Sequence, residues 1–298
     1  MSPLKVLITG GSGLLGQYIN IEFSKHFEIL TLYQNNIGNT NLFNNHQVDL
    51  TDFASVKSIF DDFKPDIVFH TAAISTVHDC DKLHPSIVFE TNVKITEHLA
   101  ELCNNFNSKL FYTSTDLVYA GYRGSMLTET SKLVPVSLYA ETKLMGEVKI
   151  KQICNNYVIL RMSLLFGFGL NQRSCFFEHM ITNLNNNQSV NLFTDQYRTP
   201  LFLQDAAVAS VDLIKNGVTN EIINLGGIDR LSRFELGELV CQTGGFDKEL
   251  LQPIKMENIP NFPIVSDVSL NTDKLKSFGV KIHDIDEIIF KLFNKEKR

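Results

Sequence analysis

The chain has 298 residues and a formal net charge of −6, with 44% hydrophobic and 20% charged residues. That is the balance of a soluble globular protein with room for a large core. An acidic chain without a basic stripe argues against a nucleic-acid partner, and no run approaches the ~18 apolar residues of a membrane-spanning helix.

KVLITG (Lys5–Gly10) reads as a buried strand, and Leu15, Ile19 and Phe23 recur at helical spacing after it. EILTLY (Glu28–Tyr33) reads as a second strand and QVDL (Gln47–Leu50) as a short third. Val56, Ile59, Phe60 and Phe63 mark a helix. DIVFHTAA is a strand running into small residues, and Pro85 to Phe106 reads as one long helix. KLFYTST is a strand, LYAETKLMGE lies in a helix, and YVILRMSLLFG is a further strand. This β-α-β-α rhythm of near-continuous apolar strands predicts a doubly wound parallel sheet with helices on both faces. Beyond it, Ser174–Leu184 reads as helix, NLFTDQ as strand, Arg198-Thr199-Pro200 as a turn, Gln204–Lys215 as helix and EIINLGG as strand. Ser232 and Glu235 are spaced for a capping box, and a last amphipathic helix covers Ile285–Phe293. The expected division is a larger doubly wound α/β domain over residues 1–165, rejoined by the chain around 200–226, and a smaller α/β lobe over 166–298, with a cleft between.

The five cysteines, Cys80, Cys103, Cys154, Cys175 and Cys241, are odd in number and far apart, so neither a disulfide framework nor a zinc site is expected. MSPLKVLITGG is no signal peptide, because its apolar run is short and flows into a glycine turn. A cytoplasmic location follows as the expectation. Lys295, Lys297 and Arg298 read as a short solvated tail.

ITGGSGLLGQ places Gly10, Gly13 and Gly16 between a predicted strand and a predicted helix. Early glycines permit a tight turn and a close approach to a pyrophosphate, which sits on the helix N-terminus. The second strand ends in Tyr33-Gln34-Asn35-Asn36, neither the acid that favours NAD nor the arginine that favours NADP, so both cofactors stay open. Asp49 is placed either to bind the adenine amino group or as an ordinary turn residue. Tyr139 and Lys143 stand four apart on one helix. A tyrosine beside a lysine ammonium can serve as a proton donor, its pKa expected to fall from the reference of ~10.

The T-G-x-x-G-x-x-G spacing resembles the extended short-chain dehydrogenase/reductase superfamily. TGGSGLLGQ, AAISTVHDCDKLHP, TNV (Thr91–Val93), STDLVYAG, VPVSLYAETKLMGE, LRMSLLFG, DQYRTPLFLQDAA and SDVSLNTDKLKSFGV resemble the dTDP-4-dehydrorhamnose reductase family along nearly the whole chain. The resemblance implies NAD(P)H-dependent reduction of a nucleotide-linked 4-keto-6-deoxy sugar. It implies a catalytic trio of Thr115, Tyr139 and Lys143. It places Gly10, Ser12, Gly13, Leu14, Leu15, Gly16, Asp49, Leu50, Ala72, Ala73 and Asn92 at the cofactor, together with Tyr139 and Lys143. Val77, Thr115, Asp116, Leu117, Leu164 and Arg198 fall at the substrate, with no metal. Asp116 either assists the reaction or caps the following loop. The chain departs from the family pattern at His78, where an aspartate is usual, at Leu117 for a tyrosine and at Leu164 for a tryptophan. The last two positions are expected to touch the sugar, so its identity stays open. Two alternatives share the resemblance: a nucleotide-sugar epimerase or dehydratase, and a non-catalytic cofactor-binding subunit like the regulatory subunit of methionine adenosyltransferase. A homodimer is compatible with any of them.

Overall fold

The computed structural model describes residues 3–171, 174–260 and 262–294, so Lys295, Lys297 and Arg298 lie outside the described residues. The first strands and helices alternate in chain order: β1 (Lys5–Thr9), α1 (Leu14–Phe23), β2 (Glu28–Tyr33), β3 (Asn45–Gln47), α2 (Phe53–Phe63) and β4 (Ile67–His70). Then come α3 (Val77–Lys82), α4 (Pro85–Phe89), α5 (Ile95–Phe106), β5 (Lys109–Thr115), α6 (Leu138–Ile153) and β6 (Tyr157–Met162). Short pieces follow: β7 (Leu165–Phe166), α7 (Phe176–Asn185), β8 (Val190–Phe193), β9 (Tyr197–Arg198) and β10 (Leu201–Phe202). α8 (Leu203–Lys215), β11 (Glu221–Leu225), β12 (Leu231–Ser232), α9 (Arg233–Gly244), β13 (Leu251–Ile254), α10 (Asp273–Ser277) and α11 (Ile285–Asn294) complete the chain.

Seven strands form one parallel sheet in the order β11-β6-β5-β4-β1-β2-β3. The winding reverses between β1 and β4, and in such sheets ligands bind outside the strand C-termini at that point. The sheet is buried on both faces because its strands carry apolar residues at consecutive positions. Val6 and Ile8 pack with α1 and α8 on one face; Leu7, with Leu30 and Leu32, packs with α2 and α5 on the other. A separate apolar cluster joins α7, α9 and α11 through Phe177, Leu236 and Ile289. Among the described residues no helix is long and apolar enough to cross a membrane.

Several local readings change. The third strand is Asn45–Gln47 rather than Gln47–Leu50, because Asp49 turns the chain by accepting from the Thr51 N–H and hydroxyl. The helical stretch from Pro85 to Phe106 is interrupted by a π-helical turn at Glu90–Lys94. The AISTVHDC segment contains α3, started by Thr76, whose side chain accepts from the Asp79 N–H. The capping box at Ser232 and Glu235 is present, with both reciprocal hydrogen bonds made.

Candidate active site

A cleft of about 1180 Å³ opens along the C-terminal ends of the sheet strands. Its wall takes the glycine turn after β1, Tyr33–Asn36 after β2, Thr71–Thr76 after β4, Thr115–Leu117 after β5 and Ser163–Leu165 after β6. Arg198, Arg233 and Phe262 close the far side.

The glycine turn is built for close approach. Gly10 has φ +68°, and a Cβ there would lie 2.7 Å from the Ala72 backbone N. A Cβ on Gly16 would lie 2.1 Å from the Gly10 carbonyl oxygen, so any side chain would push α1 off β1. Gly13 is the N-cap of α1 and supplies no side-chain cap. The helix therefore presents its first-turn N–H groups and its positive end to the cleft, which fits a pyrophosphate. Ser12, Gly13, Leu14, Leu15 and Gly16 line this part, and Leu50, Ala72 and Ala73 line the neighbouring walls. Asp49 lines the cleft too, but its carboxylate also accepts from Thr51 and from Gln34 Nε2 (2.9 Å). Those hydrogen bonds hold its carboxyl below the usual range. Among the described residues that line the cleft, the lysines and arginines are Lys143, Arg198 and Arg233, none of them at the end of β2. Asn92 is not brought into the cleft. It is buried in the π-helical turn, where its amide bonds the Ile74 N–H (2.9 Å) and carbonyl (3.1 Å) and the Thr142 hydroxyl (3.1 Å). It thereby shapes the wall instead of forming it.

Thr115 is the last residue of β5; its hydroxyl donates to Asp116 Oδ1 (3.2 Å), and it lines the cleft beside the Tyr139 phenol. Ser137 accepts from the Ala140 N–H (3.3 Å) and starts α6, which puts Tyr139 in the first turn at the cleft edge. Lys143, one turn further, is buried with Nζ 4.2 Å from the Tyr112 ring centroid. Burial pushes the Lys143 ammonium down to about 7, against the attraction of Glu147. The phenol moves the other way from the expectation. Burial, then the Asp116 carboxylate, raise Tyr139 above its ordinary value, while the Thr115 hydroxyl pulls it back. The physical reason is that removal of the phenolate from water outweighs its polar neighbours. Tyr139 consequently stays protonated at neutral pH. His70, buried behind this group between Thr9 Oγ1 (2.7 Å) and Thr96 Oγ1 (3.0 Å), is pushed down to about 3 by burial and then by Lys143.

Asp116 does not cap the loop after β5; the Thr115 side chain does, accepting from the Leu117 N–H (3.3 Å). Asp116 is instead a buried anion paired with the Arg198 guanidinium and bonded by Ser163 Oγ (3.1 Å). Val77, Leu117 and Leu164 line the same region. Two arginines stand out. The Nε groups of Arg198 and Arg233 are both buried without a hydrogen-bond partner. Arg233 is the first residue of α9, where the helix dipole disfavours a cation. Its guanidinium stacks on Phe176 (4.8 Å to the centroid) and is pushed down to about 10 by burial and then by Arg198. Sequence reasoning missed Arg233, whose signal was a cation placed inside a capping box. Ser163 was missed as well. Among the described residues no group of three or more His, Cys, Asp or Glu side chains could hold a metal ion.

Residues 4–294 match the family model described as RmlD substrate binding domain. The chain belongs to this family. Members and neighbours of the RmlD substrate binding domain family bear several names. The dTDP-4-dehydrorhamnose reductase of Aggregatibacter actinomycetemcomitans is 27% identical over 264 residues, 86% of this chain and 82% of the relative. Methionine adenosyltransferase 2 subunit beta of Xenopus laevis is 27% identical over 287 residues, 93% of this chain and 83% of the relative. The crystal structure of dTDP-4-dehydrorhamnose reductase from Bacillus anthracis in complex with NADP superposes with a TM-score of 0.85 at 22% identity. It covers 99% of this chain and 100% of its own. At that identity the likeness speaks for the fold: a doubly wound α/β Rossmann sheet.

Proposed function

We propose that this chain is an NAD(P)H-dependent reductase of a nucleotide-linked 4-keto-6-deoxy sugar. The observation that carries the reading is that one cleft is lined together by Thr115, Tyr139 and Lys143 and by the two arginines Arg198 and Arg233. The reading divides the work between residues 1–165, with the returning β11, for the cofactor, and residues 166–298 for most of the sugar nucleotide.

The glycine turn and the first turn of α1 would hold a nicotinamide dinucleotide, which would supply the hydride. Thr115 donates a hydrogen bond to the ketone oxygen and fixes its place. Tyr139 gives that oxygen its proton as negative charge develops, a contribution of typically ~10²–10⁴ in rate. The raised phenol pKa keeps the acid loaded before the reaction, as reduction requires. An epimerase that starts from a hydroxyl needs the opposite state, a phenolate ready to accept a proton. Lys143 offers positive charge under the emerging phenolate. Arg198 and Arg233 are the natural partners of the substrate's diphosphate, since each has a buried N–H group unmatched within the protein. Leu117 and Leu164 make the sugar wall more apolar than in the family pattern.

The dTDP-4-dehydrorhamnose reductases among the relatives support this substrate class. The test is NAD(P)H oxidation by the purified chain with dTDP-, GDP- and UDP-linked 4-keto-6-deoxy sugars. Oxidation with one of them supports the reading. Absence of oxidation with all of them, in a chain that binds NAD(P)H, defeats it and favours a binding role like that of a regulatory subunit.

A further inference from the structure

Tyr139, Lys143 and Glu147 are spaced by four residues along α6, so the three side chains stack on one face of the helix. The third of them has no part in the mechanism above, yet it is the most elaborately held. Glu147 is 2% exposed. Its carboxylate accepts from Arg161 Nε (3.0 Å) and Nη2 (2.7 Å) in a two-pronged pair, and from Ser114 Oγ (2.5 Å). Ser114 and Arg161 are register partners on β5 and β6, and Ser114 directly precedes Thr115. Two residues before Ser114, on the same face of β5, Tyr112 lies under the Lys143 ammonium and donates from its hydroxyl to the Lys143 carbonyl (3.3 Å). The helix that carries Tyr139 is thus tied at Glu147 to the strand that carries Thr115.

Arg161 is itself spent inside the fold. It is also 2% exposed, and its Nη1 donates to the Tyr119 hydroxyl (2.9 Å) and the Glu129 carbonyl (3.1 Å). A buried ion pair of this kind is weak as a source of stability, because packed apolar residues of similar volume do as well or better. What it supplies here is a fixed, ionised carboxylate one helical turn from Lys143.

The groups facing Lys143 come from four elements. They are Tyr139 and Glu147 on α6, Tyr112 on β5, His70 on β4 and Cys80 on α3. His70 is neutral at physiological pH, and burial raises the Cys80 thiol to about 11 and the Tyr112 phenol well above its ordinary value. Glu147 is therefore the negative charge available to a lysine that burial drives toward its neutral form.

We infer that Glu147 is a positioning residue of the reductase site: gripped by Arg161 and Ser114, it locks α6 onto β5 and keeps the Lys143 side chain cationic behind Tyr139. This rests on the reading of Tyr139 as proton donor. The experiment uses the full chain carrying ¹³Cε-labelled lysine, with the Lys143 resonance assigned by its loss in Lys143→Met. In the wild type the resonance titrates with a midpoint near about 7. In Glu147→Gln it titrates at least about one unit lower, the size of shift a neighbouring charge produces. Turnover of the keto sugar then falls by ~5–10-fold at about pH 7–8, where the variant's lysine is neutral, and by less than ~2-fold at about pH 5, where both are charged.

Because Glu147→Gln leaves Arg161 as a lone buried charge, the double variant Glu147→Gln/Arg161→Gln is measured beside it and must also titrate below the wild type. An unmoved lysine midpoint in a folded variant overturns the inference, as does a loss of turnover equal at every pH, the mark of a purely structural pair. A wild-type chain that reduces no keto sugar defeats the substrate reading; the lysine resonance then decides alone on Glu147.

Discussion

Replacing Arg233 by methionine should make the protein more stable and a worse enzyme. The side chain sits at the first position of α9, its Nε is buried without a partner, and Arg198 repels it. An unmatched buried donor on a charged group costs ~1–3 kcal/mol, and a cation at a helix N-terminus a further ~0.3–1 kcal/mol. Loss of the contact with Phe176 takes back ~0.5–2 kcal/mol. The net is a stabilisation of about 1–2 kcal/mol, or a rise in Tm of about 2–3 °C for a chain of 298 residues. The same guanidinium, charge-paired with a diphosphate, is worth ~1.5–3 kcal/mol, so KM for the nucleotide sugar should rise ~10–150-fold. Thermal melting of the free protein and steady-state NAD(P)H oxidation measure the two halves. A lower Tm together with an unchanged KM would refute the reasoning, since it would make Arg233 a structural residue.

Tyr139→Phe keeps the ring and removes the proton donor; kcat should fall ~10²–10⁴-fold with little change in cofactor affinity, measured by turnover and by fluorescence titration of NAD(P)H. Lys143→Met should stabilise the protein more at low than at high pH. The folded lysine titrates near 7, below its ordinary 10.5, so charging it costs the folded state below pH 7, and the cost fades as pH rises toward 10.5. The difference in Tm between variant and wild type should therefore shrink from about pH 6 to about pH 10. Asn36→Arg brings a cation to the end of β2, where the cleft wall has amides, and should raise the NADPH over NADH ratio of kcat/KM by ~10-fold or more.

Much of the fold was legible because its signals are local. Gly10 and Gly16 stand where any side chain would meet backbone, and the buried strands have apolar residues on both faces, so both patterns survive in one dimension. The spacing of Tyr139 and Lys143 likewise reports a helix face. What escaped depended on partners far away in the chain. Asn92 looked like a cofactor contact, but its hydrogen bonds go to Ile74 and Thr142. Asp116 had two readings until Arg198, 82 residues on, proved to be its ion partner. The direction of the Tyr139 shift was misjudged because spacing shows the lysine and not the burial of both groups. Ser232 and Glu235 were readable as a cap, whereas the use of Arg233 between them needed the cleft wall it joins.

The most direct measurement is NAD(P)H oxidation by the purified wild-type chain with a dTDP-linked 4-keto-6-deoxy sugar, with GDP- and UDP-linked analogues in parallel. The account predicts stoichiometric oxidation of NAD(P)H with conversion of the ketone to one hydroxyl epimer, abolished in Tyr139→Phe. Binding of cofactor and nucleotide sugar with no hydride transfer to any of the three would contradict it.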